Sequence, residues 1–554
     1  MSNILGIHFG HDAGVAIVKD GKLVSSITNE RVTRVKKGTG IVTKEILQYV
    51  LDEAGLSAKD IDAVAVSSYF EDNENIFSFM FNRSKTDLIN SSPDDEIVFP
   101  FNEFSVGEVS ILGLPPVKAY QVPHHFAHGS SAYYTSNFNK SIILTVDACS
   151  PDTQFFNSLI AIGDENKFIY QEDAETMISQ LYNYFTASLG LGHPLLKAGS
   201  MMGLAAYGKP IDKAVKNIEE YVIKFNSPGN ALNKAAELFF ELTDHGSPIT
   251  GDNINCFGTY EDWDEKDKLL SKKLGRDLAA TIQYIFEESM MYTIKEKIAQ
   301  YGIKNISLAG GSLLNCNANS KIKNSGLFDN VYIYPAAGDD GIAIGCALYV
   351  SHHILNEKRH KYSNSDIAYT GKKYKMSMLT NHKKVAKLIA DGKIVAWFSG
   401  ASENGPRALG HRSILADPRN FNNRDIINFA VKRREWFRPF APSVLEEEAH
   451  KWFSPGDPSP FMLYTQKVLK PELVPAITHV DGTARIQTVS KEMDKDYYNL
   501  INEFYKLTGV PMILNTSFNT NGEPIVETEE DALNAFKNND GLDVLVLNGK
   551  IYER

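Results

Sequence analysis

Short apolar runs that end near a glycine or an aspartate open the chain. The run "NILGIHFG" is followed by "AGVAIVKDGKLVSSITNE", in which two apolar stretches flank an Asp-Gly pair. Alternating apolar and polar positions around Asp-Gly predict a β-hairpin. We therefore predict a strand, a turn that contains Asp12, and then a hairpin.

The same pattern returns about 130 residues later. The apolar run "KSIILTVDACS" ends at Asp147, and "NSLIAIGDENKFIYQED" predicts another strand, polar turn and strand. A repeat of this size indicates two related subdomains. Two α/β subdomains that each offer an aspartate to a shared cleft are typical of the actin, hexokinase and Hsp70 class. Coincidence between two hairpins is the alternative interpretation.

The rest of the chain predicts further α/β units. Residues 213–300 have mainly helical patterns, and "NISLAGGSLLNCNANSKI" predicts a buried strand, a Gly-Gly turn and a helix. The stretch "NVYIYPAAGDDGIAIGCALYV" repeats that order. Residues 351–375 are polar and charged, which is typical of a boundary. We predict an α/β protein with a large N-terminal domain, 1–355, and a smaller C-terminal domain, 375–554.

Composition narrows the function classes. The 554 residues are 43% hydrophobic and 23% charged, as in ordinary globular enzymes, and the formal net charge is -11. That charge disfavours binding to nucleic acid or to anionic membranes. The four cysteines form no CxxC pair, no signal peptide is evident, and no run reaches the ~18 apolar residues of a membrane span. We expect a cytoplasmic enzyme.

Three histidines stand within five residues in "HHFAH", directly after Pro123. Proline favours the start of a helix, and in a helix His124 and His128 project from one face. Two such imidazoles, joined by the strand-terminal aspartates Asp147 and Asp339, would form a mixed N and O ligand set. That set suits iron, manganese or zinc better than calcium. The alternatives are a surface histidine cluster or core histidines with satisfied hydrogen bonds.

A glycine turn offers a second candidate site. "LAGGSLLN" places Gly310, Gly311 and Ser312 between a strand and a helix, where bare N–H groups attract phosphate. The stretch matches neither a Walker A loop nor GxGxxG. A simple tight turn is the alternative. "MMGLAAYGKP" predicts only a loop.

Cations are dense in the C-terminal part. The stretches "ENGPRALGHRSILADPR" and "VKRREWFRPFAPSV" hold the following cations: Arg407, Arg412, Arg419, Lys432, Arg433, Arg434 and Arg438. Arg485 and Ser517 follow in "HVDGTARIQTV" and "ILNTSFNTNGEPIV". Guanidinium groups bind phosphate bidentately, so this pattern predicts an anion pocket. Solvated surface charge is the alternative.

These stretches, together with "ILGIHFGHDAGVAIVKDGKL", "MMGLAAYG" and "PAAGDDGIAIG", carry a family resemblance over nearly the whole chain. The sequence resembles the O-carbamoyltransferases of antibiotic and nodulation-factor biosynthesis, the tobramycin carbamoyltransferase among them. The resemblance implies an actin-like N-terminal domain similar to tRNA threonylcarbamoyl transferases. It also implies a C-terminal domain similar to the enzymes that make threonylcarbamoyl-adenylate.

The resemblance implies a reaction as well. Carbamoyl phosphate and Mg-ATP would form carbamoyl-adenylate in the C-terminal domain. The carbamoyl group would then pass to a hydroxyl of a small natural-product acceptor in the N-terminal domain, which would hold a divalent metal, with iron as the first expectation.

The family's functional residues carry over to matching positions of this chain. The metal ligands would be His124, His128, Asp147 and Asp339. The nucleotide part would contact Gly310, Gly311, Ser312 and Asn315. Carbamoyl phosphate and ATP would contact Arg407, Lys432, Arg438, Arg485, Asn515 and Ser517. The residues that face the acceptor and catalyse transfer would be His11, Asp12 and Lys36.

Three departures from the family pattern stand out. "DACSPDTQ" replaces a Gly-rich acidic stretch after Asp147, Gly38 stands where many members have histidine, and His411 stands where many have asparagine. The first two lie near the expected acceptor site, so the identity of the acceptor stays open.

Other functions compete with this interpretation. An actin-like small-molecule kinase would use the same Asp12 and Asp147 cleft but needs no second cationic pocket. A tRNA threonylcarbamoyl transferase conflicts with the acidic charge balance. A catalytically inactive binding protein is a third alternative. The metal and the oligomeric state stay open, with a homodimer as one option.

Overall fold

The computed structural model describes residues 2–38, 42–67, 105–109, 114–148, 158–174, 176, 178–219, 273–374 and 381–554. Cys149, Cys256 and much of the predicted helical region at 213–300 lie outside these ranges, as does the stretch after Ala148 that departs from the family pattern.

The first sheet is built from the N-terminal residues. Its strands are β1 (Asn3–His8), β2 (Gly14–Lys19), β3 (Lys22–Thr28), β4 (Ala63–Ser67), β5 (Ser105–Val109) and β6 (Val117–Val122). They run in the order β3-β2-β1-β4-β6-β5. Strands β1, β2 and β3 are antiparallel neighbours, whereas β4 and β6 continue the sheet in parallel with β1.

The second sheet repeats this plan. Its strands are β7 (Lys140–Val146), β8 (Ser158–Asp164), β9 (Lys167–Asp173), β10 (Asn305–Ala309) and β11 (Asn330–Ile333), in the order β11-β10-β7-β8-β9. Strands β7, β8 and β9 are antiparallel neighbours, and β10 and β11 lie parallel to β7. The matching orders confirm the predicted duplication and the actin-like fold class.

Helices cover and connect the two sheets. They are α1 (Asn29–Thr33), α2 (Lys44–Ala54), α3 (His124–Thr135), α4 (Ile178–Ser188), α5 (Pro194–Ala205), α6 (Asp212–Glu219), α7 (Lys273–Tyr292), α8 (Cys316–Lys323), α9 (Ile342–Leu348) and α10 (Asn364–Ala368). Helix α3 follows the last strand of the first repeat but packs on β7 and β10, whereas α9 ends the second repeat and packs on β1 and β2. The two repeats therefore exchange helices at their boundary.

Glycines permit the close contacts at this boundary. A Cβ at Gly6 of β1 would lie 1.9 Å from the Ala343 carbonyl oxygen of α9, and a Cβ at Gly345 would lie 1.8 Å from the Ala127 carbonyl oxygen of α3. No side chain fits at either glycine, so the backbones of β1, α9 and α3 touch directly.

The C-terminal part forms a separate mixed sheet. Its strands are β12 (Val395–Phe398), β13 (Arg412–Ala416), β14 (Ala441–Leu445), β18 (Gln487–Val489), β19 (Met512–Ser517), β20 (Val544–Leu547) and β21 (Lys550–Glu553). The order is β18-β14-β19-β13-β12-β20-β21. A small sheet adds β15 (Phe453–Ser454), β16 (Thr465–Val468) and β17 (Thr483–Arg485).

Four helices accompany these sheets: α11 (His382–Ala390), α12 (Asn422–Ile426), α13 (Lys495–Thr508) and α14 (Glu529–Lys537). A buried cluster around Trp397, Phe398 and Tyr497 forms the core of this second α/β unit. The boundaries at 355 and 375 remain a prediction. Within the described ranges, no helix is both long and apolar enough to cross a membrane.

The first repeat is tied to the C-terminal part by polar contacts. Tyr49 of α2 donates to Glu527 at 2.5 Å, and Arg31 of α1 lies 3.8 Å from the same carboxylate. Arg34 donates to the carbonyl oxygens of Pro524 and Ile525. These contacts bring the turn that holds Asp12 close to the C-terminal sheet.

Candidate functional site

Two imidazoles and two carboxylates converge where the repeats meet. One ligand atom from each of His124, His128, Asp147 and Asp339 lies within 4.8 Å of the others. We call these four residues the His–Asp cluster. His128 Nε2 lies 3.1 Å from Asp147 Oδ2 and 3.3 Å from Asp339 Oδ1, and both histidines are buried. The sequence-predicted ligands are thus neighbours in space.

Local structure explains the convergence. Pro123 immediately precedes α3, so His124 and His128 occupy one face of its first turns. His125 points away from that face, towards Thr145 Oγ1 at 2.7 Å. Asp339 precedes α9, the helix that contacts α3 through Gly345. The helix exchange described above therefore brings ligands of both repeats together.

The Gly-Gly turn holds Asp147. Gly311 N–H donates to Asp147 Oδ2 at 2.9 Å, and Ala148 N–H donates to Oδ1 at 2.6 Å. A Cβ at Gly310 would lie 2.2 Å from the Val146 carbonyl oxygen, and the φ of Gly310 is +98°. Both glycines are therefore used to bring the β10 turn against the end of β7.

The donor set has the chemistry of a metal site. The Nε2 atoms of His124 and His128 lie 3.1 Å apart. Burial opposes protonation of His128, but hydrogen bonds to the two aspartates outweigh it and raise its pKa to about 9. Burial lowers the pKa of His124 well below its ordinary value. A divalent cation could replace the proton that His128 shares with Asp147 and Asp339. Two nitrogen and two oxygen donors suit a transition metal.

A second layer of charged groups extends from Asp339. His11 Nε2 lies 3.2 Å from Asp339 Oδ2, and His11 Nδ1 lies 3.3 Å from Asp12 Oδ2. Burial opposes protonation of His11, but Asp339 and Asp12 outweigh it and raise its pKa to about 9. Lys37 donates to Asp12 at 2.5 Å. Asp12 and Lys37 both have left-handed backbones, with φ of 60° and 53°, which is typical of functional turns.

Sequence reasoning missed two members of this layer. The structure brings Lys37 rather than Lys36 into contact with Asp12. His8, at the end of β1, lies 3.7 Å from Asp339 Oδ2, and its Nδ1 lies 2.6 Å from Ser67 Oγ. The alternation in "GIHFGHD" places His8 at the carboxyl end of a buried strand, which was the available signal.

A cleft lies between this layer and the C-terminal part. Asp12, Lys36 and Asp340 line it on one side, and Ser517 and Asn519 line it on the other. Burial raises the pKa of Asp340 to about 7 with help from the Asp12 carboxylate and against the effect of Lys37. Lys36 lies close enough to Arg434 and Arg438 that burial and these cations lower its pKa.

The predicted nucleotide contacts have structural partners of their own. Asn315 exchanges hydrogen bonds with Gln283 (3.0 and 3.1 Å) and caps α8 by accepting from Ala318 N–H. Ser312 Oγ lies 2.5 Å from Ser179 Oγ. Gly310 packs against Val146, and Gly311 donates to Asp147, so this turn positions a member of the His–Asp cluster.

Four half-buried guanidinium groups of the C-terminal part are close enough to act on one another electrostatically. We call Arg407, Arg434, Arg438 and Arg485 the arginine cluster. Burial together with Arg485 and Arg438 lowers the pKa of Arg407 to about 9. Burial together with Arg438 also lowers the pKa values of Arg434 and Arg485. Within the described ranges only Arg438 has an ion pair, at 3.9 Å from Glu435. This excess of positive charge fits an anion.

Other residues that were predicted to contact carbamoyl phosphate or ATP form hydrogen bonds within the protein. Lys432 Nζ is buried and donates to Ser517 and Asn519 at 2.5 to 3.1 Å. Asn515 donates to Ala408, Ser443 and Gln487. Two further cations of the segment lie apart: Arg412 is fully buried against Phe398, and Arg419 is paired with Asp417 at 2.6 Å.

Comparisons with known proteins cover the whole chain. Residues 3–348 match the family model "Carbamoyltransferase N-terminus", and residues 386–554 match "Carbamoyltransferase C-terminus". Nodulation protein NolNO of Sinorhizobium fredii is 34% identical over 99% of this chain and 79% of its own length. Nodulation protein U of Rhizobium tropici is 29% identical over 94% of this chain and 91% of its own length.

Solved structures match about 63% of the chain, and only weakly. Component A of the (R)-2-hydroxyglutaryl-CoA dehydratase of Acidaminococcus fermentans is 14% identical, covers 63% of this chain and 97% of its own, and has a TM-score of 0.33. A ROK hexokinase of Thermus thermophilus is 14% identical with coverages of 63% and 98% and a TM-score of 0.26. The fold assignment therefore rests on the strand orders.

Proposed function

The chain belongs to the carbamoyltransferase family and is a carbamoyltransferase, and on that premise we propose that it is an ATP-dependent O-carbamoyltransferase of a small hydroxyl-bearing natural product. One observation carries the proposal: the four-donor His–Asp cluster and the arginine cluster each adjoin the same cleft. Asp340, next to Asp339, and Pro406, next to Arg407, both line that cleft. The His–Asp cluster suits a cation and the arginine cluster suits phosphate.

In the activation step, carbamoyl phosphate, Mg-ATP and water give carbamoyl-adenylate, phosphate and pyrophosphate. Water cleaves the carbamoyl–phosphate anhydride to carbamate and inorganic phosphate, and a carbamate oxygen then attacks the α-phosphorus of ATP as pyrophosphate leaves. Arg407, Arg438 and Arg485 stabilise the charge that develops on the phosphate oxygens. Lys432 keeps the Ser517 turn in place beside them.

In the transfer step, an acceptor hydroxyl oxygen attacks the carbamoyl carbon, and AMP leaves. His11 bridges Asp12 and Asp339, and Asp12, which lines the cleft, accepts the hydroxyl proton. Lys37 keeps Asp12 ionised. The cleft thereby supplies both the base and the binding surface for the acceptor.

The His–Asp cluster would hold a divalent metal, with iron expected first and manganese or zinc as alternatives. When bound, the metal supplies Lewis-acid polarisation of the carbonyl and charge neutralisation for the leaving nucleotide. The cytoplasmic location predicted from the sequence is part of the same proposal.

The test is carbamoyl-phosphate-dependent exchange of labelled pyrophosphate into ATP, first without an acceptor. We expect exchange that disappears when acetyl phosphate replaces carbamoyl phosphate. No exchange by the folded, metal-loaded protein, either alone or with a panel of hydroxyl acceptors, would contradict the proposal. Phosphorylated instead of carbamoylated acceptors would favour a kinase.

A further inference from the structure

One face of α5 contacts the segment that carries the arginine cluster. Lys197 Nζ lies 2.5 Å from Glu435 Oε1, and Ser200 Oγ accepts a hydrogen bond from Arg438. A Cβ at Gly203 would lie 3.3 Å from Pro439. Residues 197, 200 and 203 are spaced by three, so they lie along one side of the helix.

The Lys197–Glu435 pair is nearly inaccessible. The side chains are 11% and 7% exposed. Desolvation makes a buried ion pair a poor source of stability, so such a pair is better explained by the geometry it imposes. Glu435 is also the carboxylate that faces Arg438, at 3.9 Å, and Lys197 and Arg438 together lower its pKa against the effect of burial.

Lys197 and Arg438 therefore share one carboxylate. Because Lys197 engages Oε1 at close range, Glu435 does not hold Arg438 in a tight bidentate pair. Arg438 instead donates to Ser200. Its charge acts on Lys36, which lines the cleft, so Arg438 lies near the cleft without being neutralised by Glu435. Without Lys197, Glu435 would draw in Arg438 and neutralise one cation of the arginine cluster.

We propose that Lys197 is a positioning residue for the phosphate-bearing donor: helix α5 of the N-terminal region holds Glu435 so that Arg438 can bind the donor's anion. This inference rests on the proposed function and adds to it. Formation of the adenylate then depends on a residue of the carbamoyl-transfer half of the chain.

The first measurement is pyrophosphate exchange with Lys197→Met. We expect the KM of carbamoyl phosphate or of ATP to rise about tenfold or more with little change in kcat, and the substrate affected identifies whose phosphate Arg438 binds. Lys387→Met, which removes an exposed lysine paired with Asp391, is the matched control. Unchanged KM values for both substrates would overturn the inference.

A rescue separates positioning from general damage. In Lys197→Met/Glu435→Gln the neutral amide no longer draws in Arg438, so the KM should return to within about threefold of wild type. A double variant as impaired as Lys197→Met would contradict the inference. Lys197→Arg keeps the charge and should retain most of the affinity, which also covers a failure of the methionine variant to fold.

Direct binding of pyrophosphate, measured by calorimetry, requires no turnover. If wild type shows no exchange either alone or with the acceptor panel, the proposed function fails, while the inference about Lys197 is still decided by whether Lys197→Met weakens pyrophosphate binding and the double variant restores it.

Discussion

The His–Asp cluster and the arginine cluster are opposite in charge balance. In the first, two carboxylates face two imidazoles, and the pKa of one imidazole is raised to about 9. In the second, four guanidinium groups share a single ion pair within the described ranges. The comparison shows that the charge of the ligand for each cluster can be inferred from the charges that the protein does not neutralise. Lone pairs converge in one cluster and N–H donors in the other.

Asp339→Asn should give the largest effect, because it disrupts the His–Asp cluster, the half of the comparison that suits a cation. Asp339 contacts both His128 and His11, so its loss removes a metal ligand and one of the two carboxylates that orient His11. We expect bound metal to fall to near zero and carbamoyl transfer to fall by at least about 100-fold, while pyrophosphate exchange persists. Elemental analysis and product formation measure the two. Asp164→Asn, at an exposed salt bridge, serves as control.

Arg485→Met changes the arginine cluster, the half of the comparison that suits an anion. Removal of one guanidinium from the arginine cluster should lower pyrophosphate exchange by about 10²–10³-fold, because a preorganised donor to the developing charge is lost. Metal content should not change. Arg419→Met removes an arginine of the same C-terminal region that already has its carboxylate, and it should leave exchange intact. Loss of metal in Arg485→Met would show that the two clusters are not independent.

Gly311→Ala sharpens the comparison with a smaller change. The added Cβ would lie 3.0 Å from Asp147 Oδ1, which displaces a ligand without removing it. We expect metal affinity to weaken by about 10- to 100-fold, as measured by competition with a chelator. Gly199→Ala, where a Cβ meets no described atom within 4 Å, should bind metal normally. Equal affinities in both variants would argue against the role of the turn.

The smallest effect concerns His411, which belongs to neither cluster. Its Nε2 lies 3.1 Å from Asp494, and its ring stacks on Tyr369 with centroids 3.7 Å apart. Burial opposes protonation, but Asp494 and Glu403 raise the pKa of His411. Its stabilising contribution is therefore complete below the unfolded pKa of ~6.5 and is lost as the pH rises through the folded value.

His411→Asn should remove that dependence. Urea unfolding of wild type and variant should show a stability difference that shrinks as the pH rises from about 6 upward, with both clusters' activities retained. A difference independent of pH would mean that the ring acts by stacking alone.

Much of the fold could be predicted from periodicity and turn chemistry. Two strand–Asp–hairpin patterns were sufficient to predict matching sheets, because the residues that make each hairpin are adjacent in sequence. Asp147 and Asp339 could be predicted as neighbours because the carboxyl ends of parallel strands meet at one edge.

Other features depend on contacts that no local pattern reports. Lys36 and Lys37 are adjacent, and no local pattern indicates that Lys37 is the lysine that pairs with Asp12. The Lys197–Glu435 pair joins residues 238 positions apart. Asn315 and Asn515 have side chains suited to ligands, but the packed structure uses their amides internally.

The glycine contacts of β1, α9 and α3 have a kinetic consequence. The backbone contacts of Gly6 with Ala343 and of Gly345 with Ala127 join β1, α9 and α3. These elements carry or adjoin Asp339, His124 and His128, so the three ligands should move together. A metal ion bound there would be held by ligands that cannot move apart independently, and its residence time should span many catalytic cycles.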